Sequence, residues 1–437
     1  MSFPEDSRRI LGVHLTSVNI FKKYIFSKIK NKINDFIWVD LFAGEGNLIL
    51  PILESVPKEK RTDFFKENIF LFDIQKEMVK KSVENAIKYG IPKEIAEKNI
   101  IQQNTLKEFP KFLHELKKPI FHITNPPYLY LGYIGKHKEM NVHLSYFEGY
   151  NKGYQDLYQI ALINDLRNNL QKMIYIIPSN FLFGATISNK IRIDFLPQYK
   201  INEAIIFEKK IFEFTGTNVM VCFFEKAERL NRNIEFDAIK INSHEIIRHY
   251  LLTKKNKFRG GNYFEEYIKT RKAVNPLEVK YYLKQEELEK NKGNNKVILL
   301  DSKNYTGKGY SQKEFFVNDK LFNKIKSNPL FIRTVDTGSE EGRIGLYDIK
   351  ETFGVDGIFV DGATYRTNPI QVFIFPTLKN DDSKRLKEQF NQILENLRDK
   401  TDSEFMTTYK YTNGTGKYIR KYLGLNQTKK LLQTIIL

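Results

Sequence analysis

The sequence predicts an α/β chain: a doubly wound, mostly parallel sheet in residues 1–226, followed by an α+β domain in residues 227–437. Three observations carry this. Phe36-Ile37-Trp38-Val39-Asp40-Leu41-Phe42 is a run of β-formers, broken by Ala43-Gly44-Glu45-Gly46-Asn47 before a second apolar run from Leu48 to Leu53. This pattern reads as strand, tight glycine turn and helix start. A second apolar run, Ile69-Phe70-Leu71-Phe72-Asp73, ends in a carboxylate 27 residues beyond Gly46, the place where a doubly wound sheet sets an acid against a nucleoside ribose. The 437 residues also exceed what one hydrophobic core usually serves.

The glycine turn narrows the ligand. Gly44 and Gly46 let backbone approach a bound molecule without a Cβ in the way, and a helix start behind them would present amide donors. No Gly-Lys-Ser/Thr follows, and Asp40 and Glu45 would repel a pyrophosphate, so a phosphate loop is excluded. A cationic ligand fits, and S-adenosylmethionine carries both a sulfonium and an ammonium. Asp73 then accepts the two ribose hydroxyls; it equally suits capping a helix that begins near Gln75.

A further strand-like run, Ile120 to Ile123, leads into Asn125-Pro126-Pro127-Tyr128. Asn supplies a carbonyl acceptor, two prolines stiffen the turn and remove donors, and Tyr supplies a flat face for a planar base. Such a turn holds an exocyclic amine by its hydrogens and leaves the lone pair facing an electrophile. An Asx-Pro turn at a strand end accounts for the same residues without chemistry.

With Asp-Leu-Phe-Ala-Gly-Glu-Gly-Asn (40–47), the strand-terminal Asp73 and Asn-Pro-Pro-Tyr in this order, residues 10–226 resemble the gamma class of adenine DNA methyltransferases of restriction-modification systems. The resemblance implies a Rossmann-like methyltransferase domain, S-adenosylmethionine as cofactor with S-adenosylhomocysteine as product, and a target-recognition domain after residue 226. It implies cofactor contacts at Thr16, Asp40, Phe42, Gly44, Gly46, Asp73, Asn104 and Asn125. Thr16-Ser17 stands where the family has Thr-Pro, and Asn104 where it commonly has Asp; an amide still accepts from the cofactor's adenine amine. Catalysis falls to Asn125, Pro126, Pro127 and Tyr128. The flipped base would stack between Tyr128 and Phe212, with Phe214 in reserve; both phenylalanines also suit the edge of a core. Asp156-Leu157-Tyr158 resembles the helix after the catalytic turn, and Met173 to Pro178 with Ser179-Asn180-Phe181 the next strand and its turn.

Charge agrees with a polyanionic partner, double-stranded DNA. There are 70 Lys and Arg against 52 Asp and Glu. Residues 1–226 hold 32 basic and 25 acidic residues and residues 227–437 hold 38 and 27, which assigns the DNA grip to the second part; an AT-rich coding sequence would also enrich Lys. The remaining expectations are a monomer on DNA, a possible partner restriction endonuclease, and a cytoplasmic setting. The single Cys222 lies in an apolar strand, Met1 to Arg9 is polar rather than a signal peptide, and no apolar run approaches a membrane span. The seven His and one Cys lack metal-ligand spacing, so no metal is expected.

In the second part, residues 283–296 read as a charged helix running into a solvated loop at Asn291 to Lys296, and Asp382 to Lys400 as an amphipathic helix with Leu386, Phe390, Ile393, Leu394 and Leu397 on one face. Gly362 to Pro369 places Arg366 and Asn368 two apart, residue types that read guanine and adenine edges. Tyr411 to Tyr418, with Lys417, suits phosphates. Both loops also suit solvated hairpins. Other substrates keep the same fold: a cytosine amine, RNA, or a protein glutamine. A DNA-binding specificity subunit without catalysis is the reading from a different class, opposed by intact Asp40, Gly44, Gly46 and Asn125 to Tyr128.

Overall fold

The computed structural model describes residues 16–208, 211, 218–241, 244–305, 310–336, 344–360, 369–401, 404–411 and 419–437. It divides into two compact units, residues 1–260 and 261–437.

The first unit is built on a nine-stranded sheet. Its strands are β1 (Ile37–Asp40), β2 (Ile69–Asp73), β3 (Ile100–Gln102), β4 (Ile120–Thr124), β5 (Lys172–Pro178), β6 (Tyr199–Phe207), β7 (Val219–Lys226), β8 (Asn233–Ile241) and β9 (Glu245–Thr253). The order is β3-β2-β1-β4-β5-β7-β6-β8-β9. Pairing is parallel from β3 through β5 and antiparallel around β7. The sheet is therefore mostly parallel, as the sequence predicts.

The central strands are mostly apolar because both faces are covered. Ile37, Val39, Phe70, Phe72, Met173 and Tyr175 belong to one buried layer, with the helix Leu157–Arg167. Trp38, Ile69, Leu71 and Ile174 belong to the other, with Phe64 and Phe65 of Arg61–Asn68 and Val83 and Ala86 of Lys76–Lys88. Trp38 is fully buried, and its indole donates to the Ile33 carbonyl at 2.8 Å. The strand order reverses direction between β1 and β4, so the carboxyl ends of β1, β2 and β4 open on the crevice where open α/β sheets bind ligands.

The boundary expected after residue 226 falls inside this sheet. The polar stretch Ala227 to Arg232 is the turn from β7 into β8, which pairs in parallel with β6 and antiparallel with β9. The shift reverses the charge argument. Residues 1–260 hold 40 basic and 29 acidic residues, and residues 261–437 hold 30 and 23. The larger basic surplus thus belongs to the unit with the crevice.

The second unit is α+β. A four-stranded sheet, Glu278–Tyr281, Ile370–Phe375, Leu330–Arg333 and Gly345–Asp348 in that spatial order, shares a core with the helix Asn380–Thr401. That helix buries Leu386, Phe390, Leu394 and Leu397, the face its spacing predicts. The loop expected at Asn291 to Lys296 is instead the start of a strand, Lys292–Tyr305, in a hairpin with Tyr310–Val317. Gly293 makes this possible, since a Cβ there would meet the Asn318 backbone at 2.5 Å.

Candidate functional site

At the crevice the chain forms a cleft lined by the ends of the first four strands and the turns that follow them. Thr16, Asp40, Phe42, Gly44, Asp73, Asn104 and Asn125 all line it, with Pro126 and Pro127. Residues separated by more than a hundred positions in sequence thus meet at one site. Gly46 and Tyr128 are absent from the lining; at φ +80° Gly46 turns the chain against Leu50 and Ser82, where a Cβ would meet Leu50 Cδ1 at 2.6 Å.

The glycine turn is held from inside. Phe42 N donates to Asp40 Oδ1 (3.0 Å), Ala43 N to Phe72 O (2.8 Å), Gly44 N to Asp73 Oδ2 (2.9 Å) and Gly46 N to Ala43 O (2.8 Å). These amides shape the loop rather than wait for a ligand. The helix expected at Leu48 to Leu53 is a short 3₁₀ segment, Leu50–Ser55, with Pro51 in its first turn, so a long helix N-terminus does not face the cleft.

Asp73 closes β2 with both carboxylate oxygens engaged: Oδ2 accepts Gly44 N and Oδ1 accepts Gln75 N at 2.8 Å. The helix-capping role and the cleft-lining role coexist. A carboxylate has about four lone-pair sites, which leaves acceptors for a diol. Burial raises its pKa above the usual value, opposed by the two amide donors.

Asp40 is 1% exposed. Burial pushes its carboxyl up to about 6, against the lowering effects of the Thr124 hydroxyl and the Phe42 amide. Thr124 Oγ1 donates to Asp40 Oδ1 at 2.6 Å. Behind it lies a fully buried polar layer. His122 Nε2 accepts Leu41 N at 3.2 Å, which fixes the proton on Nδ1; Nδ1 donates to Asp165 Oδ2 at 2.7 Å, and Tyr175 donates to the same oxygen at 2.5 Å. The turn after β1 therefore rests on β4, β5 and the helix Leu157–Arg167.

Asn125 lies at the end of β4. Its Nδ2 donates to Thr16 Oγ1 at 2.9 Å, and its Oδ1 accepts from the Tyr128 hydroxyl, which also lies 2.6 Å from Ile176 O on β5. The Tyr128 ring meets Tyr158 edge-on at 6.4 Å. Burial raises the Tyr128 hydroxyl well above its ordinary pKa, so it stays a neutral donor. Asp156 anchors the far end of the turn by accepting Leu129 N at 2.9 Å. Burial pushes this carboxyl up to about 7, opposed by the amides of Leu129, Tyr158 and Leu157.

Several cleft residues are not singled out by the sequence. Gln103, His143 and Tyr146 line it. His143 and Tyr146 stack at 6.1 Å, and Asn104 Nδ2 donates to the Tyr146 hydroxyl at 2.8 Å. They come from the 3₁₀ segment Lys138–Phe147, which has no motif to mark it. Phe212, Phe214, Arg366, Asn368 and Lys417 lie outside the described residues. Among the described residues no group of three or more His, Cys, Asp or Glu could hold a metal ion, and no helix is long and apolar enough to cross a membrane.

The family model described as N-6 DNA Methylase matches residues 16–314, more than half of the chain. The chain belongs to the N-6 DNA methylase family. This agrees with the resemblance to adenine DNA methyltransferases of restriction-modification systems. No curated protein matches the chain. Similar solved structures include the type IIL restriction-modification enzyme MmeI in complex with DNA, at 13% identity over 86% of this chain and 64% of that one, with a TM-score of 0.48. The type I restriction enzyme EcoKI M protein is similar at 13% identity, over 72% of this chain and 65% of that one, TM-score 0.39. So is the methyltransferase subunit of a type I restriction-modification system from Streptococcus thermophilus, at 16% identity over 63% and 54%, TM-score 0.35. This N-6 DNA methylase family member spans less than two thirds of each of those chains.

Proposed function

We propose that the chain moves a methyl group from S-adenosylmethionine to the exocyclic amine of an adenine flipped out of double-stranded DNA, within a restriction-modification system that includes a partner endonuclease. The observation that carries this reading is that Asn125-Pro126-Pro127 and the strand-terminal acids Asp40 and Asp73 line one cleft.

The donor set fits the cofactor. Asp73 keeps acceptors for the ribose hydroxyls, Asp40 places a buried acid toward the cationic methionine end with Thr16, Phe42 and Gly44 around it, and Asn104 stands at the end of the third strand for the adenine amine. When bound, the cofactor supplies an electrophilic methyl group on a sulfonium. The chain's own residues do the rest. Extrusion of the base costs a few kcal/mol, offset by stacking on Tyr128 and Phe212, roughly 1 to 3 kcal/mol per ring. The Asn125 side-chain carbonyl and the Pro126 backbone carbonyl accept the two amine hydrogens and turn the nitrogen lone pair outward. Catalysis by this turn is orientation and electrostatics. No general base is needed before attack, because the amine proton can leave after the new bond forms.

Residues 261–437 are assigned target recognition, with Arg366, Asn368 and Lys417 as base and phosphate contacts, and the protein acts as a monomer on DNA. The test is direct. The protein is incubated with labelled S-adenosylmethionine and DNA of randomised sequence, the DNA is digested to nucleosides, and the methylated base is identified. Label in N6-methyladenine supports the reading; label in a cytosine derivative, or in protein only, overturns it.

A further inference from the structure

Thr16 makes two contacts that a cofactor wall does not require. Its backbone carbonyl accepts Asn47 Nδ2 at 2.9 Å, and its hydroxyl oxygen accepts Asn125 Nδ2 at 2.9 Å. Thr16 is 7% exposed, so these bonds are shielded from competing water. A side chain on the glycine turn and the carboxamide of the catalytic turn are thus tied to one residue. On its other side the Asn125 carboxamide meets the Tyr128 hydroxyl, which in turn lies against Ile176 O of β5.

We infer that Thr16 is a positioning residue for catalysis: its hydroxyl holds the amide nitrogen of Asn125, so that the carboxamide plane is set and its carbonyl oxygen is presented to the target amine before DNA arrives. This rests on the function proposed above and adds a role to Thr16 beyond contact with the cofactor. The physical reason is the freedom of the terminal carboxamide torsion, which is broad and roughly two-fold in an unrestrained Asn. An acceptor at a reacting centre must be held to a fraction of an ångström, since a misplacement of about 1 Å can cost on the order of a hundredfold in rate. Asn47 fixes the Thr16 main chain, and the hydroxyl passes that order to Asn125.

Thr16→Val is isosteric and removes only the hydroxyl, and Thr16→Ser restores it. The expected result for Thr16→Val is a kcat about ten- to a hundredfold lower at saturating DNA and S-adenosylmethionine. Affinity for S-adenosylhomocysteine by calorimetry should stay within about threefold, because the hydroxyl is directed at Asn125. Thr16→Ser should recover most of the turnover. Equal melting temperatures of the three proteins show that each folds. A crystal structure of Thr16→Val supplies a readout independent of activity, with the Asn125 carboxamide turned from its wild-type plane. Cofactor affinity falling in step with kcat/KM at unchanged kcat, or an unmoved Asn125, would overturn the inference. Wild-type protein that leaves DNA unmethylated would sink the proposed function instead, while the Asn125 plane in the two structures still decides the positioning role.

Discussion

Asp73→Ala tests whether the acid at the end of β2 reads a ribose or only shapes a loop. Both of its oxygens already bind backbone, Gly44 N at 2.9 Å and Gln75 N at 2.8 Å, so a drop in cofactor affinity alone would not tell the two roles apart. If the remaining lone pairs take the two hydroxyls, two charge-assisted hydrogen bonds are lost, each about 1.5–3 kcal/mol. At 1.4 kcal/mol per factor of ten, the dissociation constant should rise roughly a hundredfold to ten-thousandfold. S-adenosylmethionine and S-adenosylhomocysteine should suffer alike, because their ribose is the same. The deciding measurement is a cycle run by calorimetry with S-adenosylhomocysteine and its 2′,3′-dideoxy analogue against wild type and Asp73→Ala. A ribose-reading Asp73 makes the wild type lose much more than the variant when the hydroxyls are removed. Equal losses in the two proteins would refute the reasoning and leave Asp73 as a tie between the glycine turn and the helix Lys76–Lys88.

Three further outcomes concern the turn after β4. Asn125→Ala should lower turnover about a hundredfold or more with DNA and cofactor affinity little changed, since the acceptor matters most as the nitrogen rehybridises; near-normal single-turnover rates would remove Asn125 from the mechanism. Tyr128→Phe keeps the stacking face but takes the hydroxyl away from Asn125 and Ile176, so fluorescence of 2-aminopurine at the target position should match wild type while turnover falls severalfold to about tenfold, the scale of one neutral hydrogen bond. Asp156 has its folded-state pKa raised to about 7 by burial, so its charge opposes folding at high pH and that cost disappears as pH falls through 7 toward the unfolded carboxylate value. Asp156→Asn keeps an acceptor for Leu129 N without the charge; it should melt higher than wild type at pH 8, with the gap closing on acidification, and a gap independent of pH would contradict the buried-carboxylate account.

What was legible in the sequence follows from how each part of the site is made. β1, β2 and β4 are buried on both faces, so each reads as a mostly apolar run, interrupted in β4 by His122, and the residues at or just past their ends, Asp40, Asp73 and Asn125, stand out as polar breaks. Local pattern therefore located Asp40, Asp73 and Asn125, which meet at one cleft, without any knowledge of topology. The glycine turn was legible as a turn but not in its internal use of amides, because the partners of Ala43 and Gly44 lie on β2, each 29 residues away in sequence. His143 and Tyr146 were illegible for a related reason: the ten-residue 3₁₀ segment that carries them has no motif, and its place over the cleft is set by tertiary packing.

The domain boundary failed for the opposite reason, an excess of local signal. Ala227 to Arg232 has the polar composition of a linker, yet the alternating strand that follows, β8, buries Ile234, Phe236 and Ala238 in the same core as β6 and β7. Composition reports how a segment meets water, whereas a boundary depends on whether the next apolar face finds the old core or a new one. Here it finds the old one, and moving the division to residue 260 transfers the larger positive surplus to the unit that carries the cleft. If the chain acts on DNA as proposed, attraction of a duplex by net charge would act first on the unit that carries the cleft. Sequence discrimination by residues 261–437 would have to come from individual contacts to base edges rather than from a stronger electrostatic grip, and salt dependence and specificity should be separable by substitutions in different units.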